Sequence, residues 1–131
     1  MDDAPSDTRQ PTLRIVATPA DTNAGGDIFG GWIMSQVDVA GSIAAYRRAG
    51  GRVVTVAVDS LQFHQPVRVG DLVSCYAEVV RVGRTSMTVH VEVFVERDQG
   101  GSAQHVRVTE AKVTYVAIGA DGRPRPVQSA S

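Results

Sequence analysis

The sequence predicts an α+β domain in which one long helix lies against a curved antiparallel sheet of about five strands. Three observations carry that prediction. Of the 22 valines, 14 fall between Arg52 and Glu96, and β-branched residues suit a pleated, half-buried surface better than a helix. Only one long segment, Gly31 to Ala49, repeats its apolar residues at helical spacing. Finally, 131 residues with 43% apolar and 21% charged content suffice for one core without disulfides or metals, and a single domain is expected.

The elements follow in order. Residues 1–11 hold three Asp and no apolar run; they read as a disordered extension and lack the basic and hydrophobic regions of a signal peptide. The domain spans 12–127, with 128–131 as a tail. Thr12 to Thr18 alternates and forms a short first strand. Pro19 to Gly30, rich in Asp, Asn and Gly, is loop. In the helix, Ile33, Val37, Ala40 and Ala44 share a stripe, Arg47 and Arg48 suit the last turn, and Gly50 marks the stop. Arg52 to Leu61 is the next strand, broken by Gln62 to Gly70 with its Pro66. Asp71 to Val82 follows, and Gly83 provides a turn. Arg84 to Arg97 then sets Val89, Val91, Val93 and Val95 against Thr88, His90, Glu92 and Glu96. Asp98 to Gln104 reads as a polar connection, Val106 to Ile118 as the last strand, and the Pro-rich end from Gly119 as irregular. The helix belongs in the concave side of the sheet. One helix leaves sheet edges and apolar surface uncovered, so a dimer is expected.

Composition excludes several functions. A net charge of −1 gives no broad field for nucleic acid or an anionic bilayer, and no apolar run approaches the ~20 residues of a membrane span. Cys75 is the only cysteine, so neither an intrachain disulfide nor a multi-Cys metal site is available. That fits a reducing compartment, and the expected location is the cytoplasm.

Chemistry concentrates at the helix entrance. Four of the 13 glycines, Gly25, Gly26, Gly30 and Gly31, fall within the seven residues before Trp32. There the backbone can approach a ligand, and free helix N–H groups suit developing negative charge. The loop alone fits a flexible turn equally well, and it lacks the Lys-Ser/Thr ending of a phosphate-binding P-loop. Asp38 sits about two turns into the helix among Met34, Val37, Val39, Gly41 and Ala45. An acid in such surroundings is costly unless paired or used. Taken alone, such a residue is more often a surface acid, but this helix belongs under the sheet and Asp38 is expected within reach of the glycine-rich turn, where carboxylate and oxyanion site together make a hydrolytic centre.

Other candidates are weaker. Phe63 and His64, where a strand ends, are candidate substrate contacts, although a hydrogen-bonded loop histidine is the commoner case. His90 and His105 fall on separate strands, no zinc spacing occurs, and no metal is expected. Ser35, Ser42 and Ser60 lack a nucleophile-elbow context. Cys75 reads as a small apolar filler. Arg81, Arg84, Thr85 and Ser86 surround the Gly83 turn, a solvated tip or a small cradle for ligand phosphates.

Taken together, Asp21 to Gly41, Val53 to Ser60, Phe63-His64-Gln65-Pro66-Val67, Gly70-Asp71, Val82-Gly83-Arg84-Thr85-Ser86, and Thr114-Tyr115-Val116 through Gly122 to Val127 resemble the YciA-like acyl-CoA thioesterases of the hot-dog fold. The resemblance spans about residues 12 to 127. It implies hydrolysis of an acyl-CoA to a free acid and coenzyme A, in sites shared across a hot-dog homodimer, with trimers of dimers as the larger assembly. By position, Asp38 matches the catalytic helix carboxylate, acting as general base or nucleophile. Asn23 matches the loop asparagine that works with it from the opposite protomer. Gly30 and Gly31 match the oxyanion-binding pair, and Arg84, Thr85 and Ser86 match a turn along the coenzyme A path. No cofactor is implied, since coenzyme A belongs to substrate and product. Of the 13 basic residues 12 are Arg, the better bidentate phosphate partner. A non-catalytic acyl-CoA-binding protein of the same fold is the alternative, because fold does not fix activity; a dehydratase of this fold would want a histidine beside the acid, and His64 is the only loop candidate.

Overall fold

The computed structural model describes residues 9–128, apart from the Gln99 side chain. The expected disordered extension and the last residues of the tail therefore fall largely outside it. Strand β1 (Leu13–Val16) leads through a 3-10 turn (Pro19–Asp21) to helix α1 (Gly30–Ala49). Four long strands follow: β2 (Val53–Phe63), β3 (Leu72–Val82), β4 (Ser86–Gln99) and β5 (Ser102–Ala117). All pair antiparallel in one sheet of order β1-β3-β4-β5-β2. The two strands flanking the helix in sequence thus become the two edges.

The alternation read from the valines decides which face is covered. Val89, Val91, Val93 and Val95 of β4 join Val73 and Cys75 of β3 and Ala111, Val113, Tyr115 and Ala117 of β5 in one buried cluster. Against them α1 turns Ile33, Val37, Ala40, Ala45 and Ala49. Small residues on this stripe let the helix sit close to the sheet. Register shifts after Thr55 and Val58 in β2, after Val79 in β3, and opposite Val93 and Phe94 in β5 add local twist and bend the sheet around the helix.

One stretch differs from the sequence expectation. The segment 98–104 is a tight hairpin: Arg97 pairs with Gln104 and Asp98 with Ala103, around Gly100 (φ 63°) and Gly101 (φ 91°). Both turn residues take the left-handed conformation that two-residue hairpins favour and side chains resist. This tip extends beyond the last β2 pairing at Thr109, so its residues have no core to face and remain polar. The chain after Gly119 is irregular, as expected, yet docks on the domain. Arg125 N–H donates to Ala117 O at 2.9 Å and Val127 N–H to Arg84 O at 2.8 Å, while the Arg125 guanidinium reaches the helix-ending Ala49 O at 2.9 Å. A cation there meets carbonyls with no helical partner.

One flank stays uncovered. β2 pairs with β5 on one side only. Beside it Val54, Val56 (54% exposed), Val58, Met34, Val39 and Tyr46 are exposed. A helix apolar on its outer side as well as its inner one belongs in a larger core. Among the described residues no helix is long and apolar enough to cross a membrane.

Candidate active site

The loop before α1 is built around Asn23. Its side-chain Oδ1 accepts the N–H groups of Gly25 at 2.9 Å and Asp27 at 3.2 Å, and its own N–H donates to Asp27 O at 2.7 Å. This Asx turn fixes the loop and leaves the Asn23 amide N–H groups without an acceptor among the described residues. The loop is pinned at both ends, by Phe29 N–H on Asp21 O at 2.9 Å and Ile28 N–H on Val67 O at 3.0 Å. No side chain caps α1. The first helical N–H with an acceptor is that of Trp32, on Phe29 O at 3.1 Å, so the N–H groups of Gly30 and Gly31 are free to bind an anion. Gly30 faces the Phe63 ring, which a Cβ would meet at 3.4 Å. Asn23, Gly30, Phe63 and His64 thus share one cleft of about 340 Å³.

Asp38 lies elsewhere. It is exposed in the single chain, on the helix flank facing β2, whereas the sequence placed it under the sheet. It stands eight residues from Gly30, about 12 Å along the helix, so within one chain the carboxylate is not beside the helix end. It lines a separate cleft of about 210 Å³ with Met34, Val37, Thr55, Val58 and Leu61. Two hydroxyls meet its Oδ1: Thr55 Oγ1 donates at 2.7 Å and Tyr115 Oη at 3.1 Å. Oδ2 receives no donor among the described residues.

Thr55 and Tyr115 escaped the sequence reading. They are direct cross-strand partners on β2 and β5, and both point toward the helix. The only local signal was a hydroxyl amid the valines of β2 and a tyrosine in an inward position of β5. Their convergence needs the β2–β5 register, which no local pattern gives.

The remaining candidates separate. Arg84, Thr85 and Ser86 form the β3–β4 turn, tied by Ala117 N–H to Thr85 O at 2.9 Å. β5 pairs with Phe63 at Thr109 and with Ser86 at Val116, seven positions apart or about 23 Å of strand, so this turn lies at the opposite end from Asn23 and His64. His64 Nε2 is 3.9 Å from Glu110 Oε2. His90 Nε2 lies 2.9 Å from Glu110 Oε1, and His105 Nε2 lies 2.9 Å from Glu96 Oε1, so these histidines serve different carboxylates. Among the described residues no three His, Cys, Asp or Glu side chains converge as metal ligands. Cys75 is buried, and burial pushes its thiol up to about 12, which removes it as a nucleophile at neutral pH.

Comparison with known proteins finds the model of the thioesterase superfamily matching residues 25–102. The acyl-CoA thioester hydrolase YciA of Salmonella typhimurium is 52% identical over 116 residues, covering 88% of this chain and 87% of that protein. A hexameric hotdog fold thioesterase of Campylobacter jejuni superposes with a TM-score of 0.90 at 49% identity, covering 94% of this chain and 93% of that one. The hexameric thioesterase y2039 of Yersinia pestis gives 0.86 at 50% identity, covering 95% and 100%.

Proposed function

The chain belongs to the thioesterase superfamily, and we propose that Asp38 of one copy, with Asn23, Gly30 and Gly31 of a second, carries its hydrolysis of acyl-CoA. The fold is the hot-dog fold and the activity is that of an acyl-CoA thioester hydrolase. The observation that carries the residue assignment is the state of Asp38: Oδ1 is held by Thr55 and Tyr115 while Oδ2 is left to act.

Two copies solve the separation of the candidates. The free edge of β2 can be paired by a second β2, and a two-fold axis through its middle sets the Val53 end of one strand against the Phe63 end of the other. Asn23, Gly30, Gly31, Phe63 and His64 of the second copy then lie toward the end that carries Arg84, Thr85 and Ser86, with Asp38 and Thr55 between. The exposed valines of β2 and the outer side of α1 are covered by the same contact. Hexamers among the relatives support three such dimers.

In this arrangement the thioester carbonyl sits at the helix start, its developing oxyanion on the Gly30 and Gly31 N–H groups. Asp38 Oδ2 either takes a proton from the attacking water or attacks the carbonyl itself, and the Asn23 amide orients the reacting oxygen. Coenzyme A leaves as a thiolate, a good leaving group. General-base assistance typically gives ~10²- to 10⁴-fold, and one oxyanion donor roughly 3 kcal/mol. Arg84, Thr85 and Ser86 receive the coenzyme A arm, with Phe63 and His64 across from them. The reaction requires no cofactor, and a lone buried thiol suits a reducing cytoplasm.

Thiol release from short, medium, long and aromatic acyl-CoAs tests the reading. The wild type is expected to release coenzyme A, and Asp38→Ala to lose at least about a hundredfold in rate while still binding coenzyme A. A wild type silent across the series would leave a binding protein instead.

A further inference from the structure

We infer that Tyr115 is a positioning residue for Asp38, its buried hydroxyl fixing the carboxylate by bridging the main-chain and side-chain oxygens of that one residue. The inference deepens the proposed function and rests on Asp38 being the acting carboxylate. Tyr115 is fully buried, and its Oη lies 2.9 Å from Asp38 O and 3.1 Å from Asp38 Oδ1. A buried phenol needs one acceptor, and the helix carbonyl alone would satisfy it. Reaching Oδ1 as well ties the carboxylate to the backbone beneath it and restricts both side-chain torsions.

The surroundings are arranged for this contact. Gly41 follows Asp38 by about one helical turn, and a Cβ there would overlap the Tyr115 hydroxyl and stand 3.0 Å from two ring carbons. The ring therefore lies against helix backbone, closer than any other residue at 41 would allow. Burial, then the Asp38 charge and the bond to it, hold the phenol far above its ordinary range, so it is always a donor here. Thr55, the second donor, stands on β2, an edge strand within the single chain that depends on the second copy for its outer neighbour. Tyr115 stands on β5, flanked on both sides by strands, and supplies the rigid half of the clamp.

Tyr115→Phe keeps the ring and its packing and deletes only Oη; the helix carbonyl retains its helical bond, so the fold should survive, as a thermal melt will report. The expected result is a fall in kcat of about ten- to a hundredfold, the scale of one hydrogen bond to a charged group, with KM for acyl-CoA within twofold. Added to Asp38→Asn, the same substitution should cause no further loss of the residual rate, because its effect passes through the carboxylate. A wild-type rate in Asp38→Asn would overturn the assignment of Asp38 itself. An inactive Asp38→Asn beside a Tyr115→Phe with kcat within twofold of wild type would overturn only the positioning role. So would a fall repeated in full on the Asp38→Asn background.

Discussion

Glu110 shows how a single side chain can tie distant segments together. On the outer face of the sheet its carboxylate meets His90 Nε2 at 2.9 Å, Arg107 Nη2 at 2.7 Å and, more loosely, His64 of the loop after β2. The His90 hydrogen bond, followed by the charge of Arg107, holds its carboxyl below the usual range. A depressed carboxylate pKa contributes stability above the unfolded value of ~4.3 and loses it as pH falls through the folded value. Glu110→Gln should therefore melt below the wild type at neutral pH, and the gap should close in melts taken below about pH 4. The same scale shows what the sequence disclosed. Asp38 was visible because no other residue of α1 before Arg47 is charged. Its exposure was not, because periodicity places a residue on a stripe without saying which side of that stripe the sheet covers. Thr55 and Tyr115 were hidden for a related reason: each is unremarked in its own strand and gains meaning only beside the other.

Among the elements, the loop between β2 and β3 depends on a buried ion pair. Asp71 is 3% exposed. It receives Arg97 Nη2 at 2.7 Å and Nε at 3.2 Å together with Arg68 N–H at 2.8 Å, and Arg97 also reaches Pro66 O at 3.1 Å. This fork holds the loop that carries His64. Through the pairing of Asp27 with Arg68 it also steadies the loop that carries Asn23. Arg97→Ala strands a buried carboxylate, a loss of about 3 kcal/mol in urea unfolding. Arg97→Lys should recover only part of it, since an ammonium cannot reproduce the fork. Long elements were legible wherever one face meets a core: the helix and the valine-alternating strands lie within a residue or two of their expected bounds. The polar hairpin tip was not, because strand signals come from burial, and Gln104 and His105 pair their backbones beyond the reach of the helix.

At the scale of the whole molecule, the free β2 edge and the apolar outer side of α1 leave one flank of the single chain uncovered. The decisive question is whether Asn23 and Asp38 act within one copy or across two. Asn23→Ala and Asp38→Ala should each be nearly inactive alone. If the site is shared, a mixed dimer places both lesions in one site and leaves the other wholly wild type. Co-expression with random pairing makes half the dimers mixed, so about a quarter of wild-type thiol release should return. If the two residues serve the same site from one chain, every site in every dimer carries a lesion and nothing returns. Recovery depends on contact between copies and not on the folding of either, because neither substitution touches the cluster of valines that holds α1 to the sheet. The single-chain distances already favour recovery: about 12 Å of helix lies between Gly30 and Asp38, farther than one thioester carbonyl and its attacking water can bridge.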